Sequence, residues 1–181
     1  PARPVKADST RPLIRPPSDL EAPLRVLVLQ RGREMETIGD LTLYDLDSSC
    51  FALQGEEQRV LGPFAGVEDV FRTSGRRLFC HAGGCVYGLE GWVLSVDSDG
   101  WVAGPYPDFD EWVWTEAETV SRERSSTRGL GGGFRWVHRW QDLFFLTVDP
   151  LPSPLVSFRS EESALAHGRS LGVIAAGPRS E

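Results

Sequence analysis

Apolar residues fall mostly into short runs with a period of two, separated by glycine-rich and acidic turns. Leu24 to Gln30 is the first such run. Val26 and Val28 face one way and Arg25 and Leu27 the other, which predicts a strand. Leu41 to Leu46 alternates in the same manner. Cys50 to Gln54 and Gln58 to Leu61 flank Gly55-Glu56-Glu57 and predict a hairpin. The period then changes: Phe64, Val67, Val70 and Phe71 recur at helical spacing, and Gly75 stands where a helix end favours glycine. From Leu78 to Ala103 the period of two returns. Cys85 to Leu89 and Trp92 to Val96 read as strands, with turns at Gly83-Gly84 and Asp97-Ser98-Asp99-Gly100, so this stretch predicts an antiparallel meander.

Asp108 followed by Glu111 has the spacing of a capped helix start. Phe109, Trp112, Val113 and Val120 give that helix an apolar face to about residue 124. Ser125 to Gly133 reads as a loop, its glycine-rich end too poor in side chains to pack. Leu143 to Val148 predicts a buried strand and Leu155 to Phe158 a further one. Ser160 caps a helix running to His167, and Leu171 to Ala176 is a last apolar stretch. No repeat of solenoid type is legible in the sequence. Pro1, Pro4, Pro12, Pro16, Pro17 and Pro23 predict an extended arm, with Leu13 and Ile14 as its apolar pair.

These elements predict an α+β fold, with an antiparallel sheet of about five or six strands and a few helices packed on it. The expected organisation is a proline-rich arm over residues 1–23 and a single domain over 24–181 that carries a glycine-rich loop at 125–133. A length of 181 residues suits one domain with a core of its own. No apolar run approaches the roughly 20 residues of a membrane-spanning helix, and the N-terminus has no apolar signal segment, so no membrane contact is expected. Met35 is the only methionine, which points to a processed, trimmed or partial chain.

Charge narrows the partner class. There are 26 acidic and 19 basic residues, for a formal charge of −7. A nucleic-acid binder needs a concentrated basic excess to displace counterions, so nucleic acid is an unfavoured partner. An acidic surface instead steers a chain toward a basic one. Lys6 is the sole lysine, and every other basic residue is an arginine. Arg122, Arg124, Arg128, Arg135 and Arg139 gather near Trp136 and Trp140, an arrangement that can stack single-stranded bases, though the acidic whole weighs against it.

Few residues assemble into a reaction centre. Cys80, His81 and Cys85, with Cys50 as a fourth, have the ligand types of a zinc site, but neighbouring strand residues point to opposite faces. A Cys–His pair would need His138 or His167 beside Cys80 or Cys85. Core packing explains the cysteines better, and their odd number argues against a disulfide framework and for a cytoplasmic or other reducing compartment. Asp97 to Gly100 lacks the further ligands of a calcium loop, and Gly129 to Gly133 lacks the lysine of a phosphate loop. The carboxylates of Asp108, Asp110 and Glu111 suit a helix start better than acid–base catalysis. The expectation is therefore no catalytic residue, no cofactor and no metal.

The order of helix, four strands with an Asp99-Gly100 turn, and an acidic-aromatic helix over residues 67–120, with Gly84, Val86, Tyr87 and Trp112, resembles the SUKH superfamily. That superfamily includes bacterial toxin-immunity proteins, fungal cell-wall regulators and herpesvirus proteins. The resemblance implies an α+β fold that acts by binding another protein. A propeller blade gives a similar strand pattern. The helix starting near Asp108 supplies the candidate partner surface: Asp108, Asp110, Glu111, Trp114, Glu116 and Glu118. Trp112 and Trp114 cannot share a helical face, so an inward Trp112 leaves Trp114 exposed or half exposed, unless it packs under the arm or the C-terminal segment. The function expected is non-catalytic protein recognition, as an immunity or inhibitor protein that neutralises a toxin or host factor by meeting its basic surface with this acidic one. Two alternatives stay open: a structural subunit held by its N-terminal arm, and a small thiol- or zinc-dependent enzyme.

Overall fold

A computed structural model describes residues 15–124, 133–149 and 153–174. The chain divides into two compact units, Pro1–Pro105 and Tyr106–Glu181, where the sequence predicts one domain over 24–181. The α+β class holds. The single sheet of five or six strands does not, because the described residues form one three-stranded and two four-stranded sheets.

In the first unit, α1 (Ser18–Arg31) precedes a meander of β1 (Arg33–Ile38), β2 (Leu41–Leu46), β3 (Ser49–Gln54) and β4 (Arg59–Phe64). The predicted strand over Leu24 to Gln30 is thus helical, and the predicted arm is a helix from Ser18 onward, with Pro23 inside it. The run is apolar at so many positions that it fits either period, and tertiary contacts decide. Val28 is fully buried and Leu24 packs beside it against Tyr44, Phe51 and Val60. One turn apart, Glu21 and Arg25 reach the edge strand: the Val60 amide donates to Glu21 Oε1 (3.3 Å), and Arg25 Nε donates to the Gln58 carbonyl (2.8 Å). A helix here satisfies edge groups of β4 that a fifth strand would have to meet in register.

The other face of this sheet meets α2 (Val67–Ser74), which buries Val70 and Phe71 and ends at Gly75 as predicted. Next come β5 (Arg76–His81), β6 (Gly84–Leu89), β7 (Trp92–Val96) and β8 (Val102–Tyr106), the meander expected from the sequence. Tyr87, Leu89 and Leu94 share one core cluster with α2 and with Ile38, Leu43 and Phe64 of the first sheet. Cys80 and Cys85 stand opposite each other on β5 and β6 and are joined as a disulfide, with Cys80 exposed. This corrects the expectation of two core thiols. The reducing compartment inferred from unpaired cysteines loses that support.

The second unit holds α3 (Phe109–Glu116), β9 (Glu118–Arg124), β10 (Phe134–Trp140), β11 (Leu143–Val148) and α4 (Glu161–Ile174). The helix expected to reach residue 124 stops at Ala117, and Val120 belongs to β9 instead. β10 lies between β11 and β9. The α4 side of the sheet packs Val137, Leu146 and Val148 on Ala164, Leu165 and Leu171. Arg135 crosses to the Gly168 carbonyl at 3.0 Å, and a Cβ at Gly168 would lie 2.9 Å from its Cδ. The predicted cap at Ser160 is present, its Oγ accepting from the Ser163 amide at 3.1 Å. The predicted strand over Leu155 to Phe158 is reduced to one bridge, Phe144 with Phe158. The loop predicted over 125–133 lies outside the described residues except for Gly133.

The element order reveals a tandem repeat that the sequence reading missed. Four strands and a short helix occur twice, β1–β4 with α2 and β5–β8 with α3, and a third copy follows with three strands, β9–β11, the Phe158 bridge in place of the fourth, and the longer α4. Val60-Leu61-Gly62-Pro63-Phe64-Ala65-Gly66-Val67-Glu68-Asp69-Val70-Phe71 aligns without a gap on Val102-Ala103-Gly104-Pro105-Tyr106-Pro107-Asp108-Phe109-Asp110-Glu111-Trp112-Val113. Gly62 and Gly104 have φ of 119° and 104°, a region that L side chains avoid, and each precedes a cis proline. Phe64, Tyr106 and Phe158 each stand two residues before a helix N-cap, at Gly66, Asp108 and Ser160. Repeats of this length are common in scaffolds built from stacked supersecondary units.

Candidate recognition surface on the third sheet

The side of the β9–β11 sheet that faces α3 carries the unusual chemistry. Alternation along β10 and β11 puts Phe134, Trp136, His138, Trp140, Leu143, Phe145 and Thr147 on this side. One end is dry. Trp112 is fully buried, its ring 5.4 Å from Trp140 and 5.3 Å from Phe145, with Phe109 stacked beside it at 5.7 Å. Asp108 caps the helix as predicted, accepting from the Glu111 amide at 2.7 Å.

The other end opens to solvent. With Trp112 inward, Trp114 is 47% exposed, as the spacing predicts. It lies edge-on to Trp136 (5.3 Å) and to the His138 ring (4.5 Å). Beside it is a pocket of about 330 Å³, lined by Asp110, Trp114, Trp136, Thr147, Asp149 and Ser153 together with Val148. Asp110 and Trp114 are one helical turn apart and so share a face.

His138 forms the floor under Trp114 and is fully buried. Its Nε2 lies 2.8 Å from Thr147 Oγ1 and its Nδ1 3.1 Å from Thr119 Oγ1. A neutral imidazole has one N–H and one lone pair, and a hydroxyl can serve either, so both contacts are met without charge. Burial pushes this imidazole down to about 4. A histidine beside a hydroxyl has the outline of a base and nucleophile. Here the third group is another hydroxyl rather than a carboxylate, and so low a basicity makes a poor proton acceptor near neutral pH. The group reads as a structural pillar.

The candidate partner residues separate into two sets. Asp110 and Trp114 meet at the pocket, and Glu111 is exposed on the same helix. Asp108 is occupied as the cap. Glu116 accepts from the Tyr106 hydroxyl, and burial together with that carboxylate pushes the phenol up to about 12. Glu118 pairs with Arg139 at 2.8 Å. Sequence reasoning named Trp136 only as an aromatic beside the arginines and His138 only as a base for a cysteine, and it missed Thr147 and Asp149; strand pairing is what brings the four to this site. The basic cluster disperses. Arg135 and Arg139 point away from Trp136 and Trp140, Arg122 lies over the Phe134 ring at 3.7 Å, and Arg128 falls outside the described residues.

The thiol alternative finds little to work with. Burial, with lesser help from Glu68, Asp45 and Asp69, pushes the Cys50 thiol up to about 12, and Cys80 and Cys85 are joined to each other. Among the described residues no group of three or more His, Cys, Asp or Glu side chains is placed to hold a metal ion. No helix among them is long and apolar enough to cross a membrane. In the first unit a second depression, of about 560 Å³, is apolar and is lined by Pro16, Pro17, Leu20, Leu24, Leu27 and Phe51, among others. Comparison with family models, with curated proteins and with solved structures finds no match for this chain.

Proposed function

We propose that the protein is a non-catalytic recognition module that binds a basic protein surface through the outer end of α3, in the manner of an immunity or inhibitor protein covering a toxin or host factor. The observation that carries this reading is Trp114, half exposed yet held in place by Trp136 and His138 and bordered by acidic side chains. An aromatic ring fixed before contact loses little conformational entropy on binding and makes an effective anchor. Tandem repeats of one small supersecondary unit, as a scaffold for surface variation, fit the same reading. The test is co-purification with wild type and with Trp114→Ala, at low and at high salt. A protein captured by wild type, weakened by salt and lost with the variant supports the reading. A partner retained equally by Trp114→Ala overturns it.

A second reading, a structural subunit that meets its neighbour through the N-terminal region, is favoured by the apolar depression along α1 and by exposed Leu20, Val26 and Leu29. Light scattering on Leu20→Glu/Leu27→Glu decides it: a fall in mass supports the assembly, and an unchanged mass rejects it.

A further inference from the structure

Resting on the reading of α3 as a recognition surface, we infer that the pocket beside Trp114 receives an arginine side chain of the partner, its guanidinium against Trp114 and Trp136 and its donors directed to Asp110 and Asp149. Three observations converge on this chemistry. The first is charge left over. In this unit Glu118 is paired with Arg139, Glu123 with Arg169 (2.9 Å), and Glu116 with Tyr106. Asp110 and Asp149, which flank the pocket, have no ion-pair partner among the described residues. The second is a precedent on the same sheet face, where the Arg122 guanidinium already lies 3.7 Å over the Phe134 ring.

The third observation comes from the repeat. Position 114 corresponds to Arg72 of α2, position 111 to Asp69, and His138 to Tyr87, which pairs with Leu94 as His138 pairs with Phe145. In the earlier of the two helix-on-sheet pairs, α2 over β5–β7, Arg72 bonds Asp69 at 3.1 Å and lies 6.0 Å from the Tyr87 ring centre. That pair therefore contains its own arginine, set between a carboxylate and an aromatic ring. In the later pair the arginine is replaced by Trp114, acidic residues stay at the two corresponding positions (Asp110 for Glu68 and Glu111 for Asp69), Asp149 adds a further carboxylate, and a cavity lies beside the indole. A planar guanidinium suits this space better than an ammonium, because it stacks on indole and forks to carboxylates.

The probes are N-acetylated, C-amidated hexa-arginine and hexa-lysine, titrated at matched ionic strength into the full chain. Binding is followed by the indole N–H signals of Trp114 and Trp136, assigned with Trp114→Phe and Trp136→Phe. Hexa-arginine is expected to move both signals and to bind about fivefold more tightly than hexa-lysine. Asp110→Asn/Asp149→Asn, both exposed positions, is expected to remove the difference. Equal binding of the two peptides to wild type, or shifts that spare these indoles, overturns the inference. Partner capture that survives the double Asn variant but not Trp114→Ala also overturns it while sparing the recognition surface. Capture indifferent to both variants overturns both.

Discussion

Two copies of one design differ most where a helix crosses its sheet. α2 lies over β5–β7, the sheet that follows it in the chain, with Val70 and Phe71 buried, and α3 likewise lies over the sheet that follows it, β9–β11, with Trp112 and Val113 in the same two places. Away from that buried pair the copies diverge. The first closes its surface with its own ion pair, Arg72 on Asp69, over a phenol ring. The second puts an indole over a buried imidazole and leaves a cavity beside it. A fold needs only the first arrangement. The second adds an exposed aromatic ring, which opposes stability unless something else uses it, and a buried imidazole that is tolerated because both its nitrogens are hydrogen-bonded.

The contrast is sharpest in the core. Trp112 fills a space that Val70 fills in the earlier copy, so truncation should cost the second unit more. Trp112→Ala is expected to lower stability by about 4 kcal/mol and Val70→Ala by about 2 kcal/mol. Chemical denaturation of each variant measures both. Equal losses would mean that the aromatic cluster of Trp112, Trp140 and Phe145 relaxes around the hole.

Acid separates the copies next. The folded chain keeps the His138 imidazole neutral down to about pH 4, whereas the unfolded chain protonates it from about 6.5. Protons therefore favour the unfolded state between those values. This contribution is fully present above pH 6.5 and is lost as pH falls toward 4, by up to about 3 kcal/mol. Denaturation midpoints of wild type and His138→Gln across that range check it. The variant is less stable near neutrality but loses less on acidification, and parallel curves would refute the burial argument. Tyr87, the counterpart, has no basic nitrogen to protonate. On the other side of the comparison, Arg72→Ala removes a pair whose side chains are only 15% and 28% exposed, and a loss of about 1 kcal/mol is expected by the same measurement.

Much of the local architecture was legible because it rests on neighbours in sequence. The Gly55 hairpin, the Asp97 to Gly100 turn, the α2 stripe and the Asp108 cap all depend on residues a few positions apart. What failed depended on distant contacts. Leu24 to Leu29 is apolar enough for either period, and only the edge of β4 makes it a helix. Val120 sits at helical spacing from Trp112 and Val113 by coincidence and pairs into a sheet instead. The floor of the candidate site gathers Thr119, His138 and Thr147 from three strands, and no spacing along the chain announces that. The repeat had a usable signal, Gly-Pro-aromatic followed by two acids and a bulky pair, at Gly62 and again at Gly104. It was hidden in the third copy, where Val156, Ser157 and Phe158 stand in its place and extra residues lengthen the connection from β9 to β10.

The smallest change in stability should accompany the most informative variant. Trp114→Arg gives the later copy the side chain that its counterpart uses. Glu111 lies three residues earlier, as Asp69 does before Arg72, so the new arginine has a carboxylate within reach and an aromatic surface beside it at Trp136. Position 114 is half exposed, and the exchange should shift stability by less than about 1 kcal/mol. Its effect on recognition should be far larger. An internal guanidinium beside the cavity repels an incoming one, so hexa-arginine should lose its advantage over hexa-lysine, and capture of the partner should fall as it does for Trp114→Ala. A Trp114→Arg chain that folds normally and still favours hexa-arginine would show that the two copies differ in decoration only, and that the open end of α3 is no more a binding site than the closed end of α2.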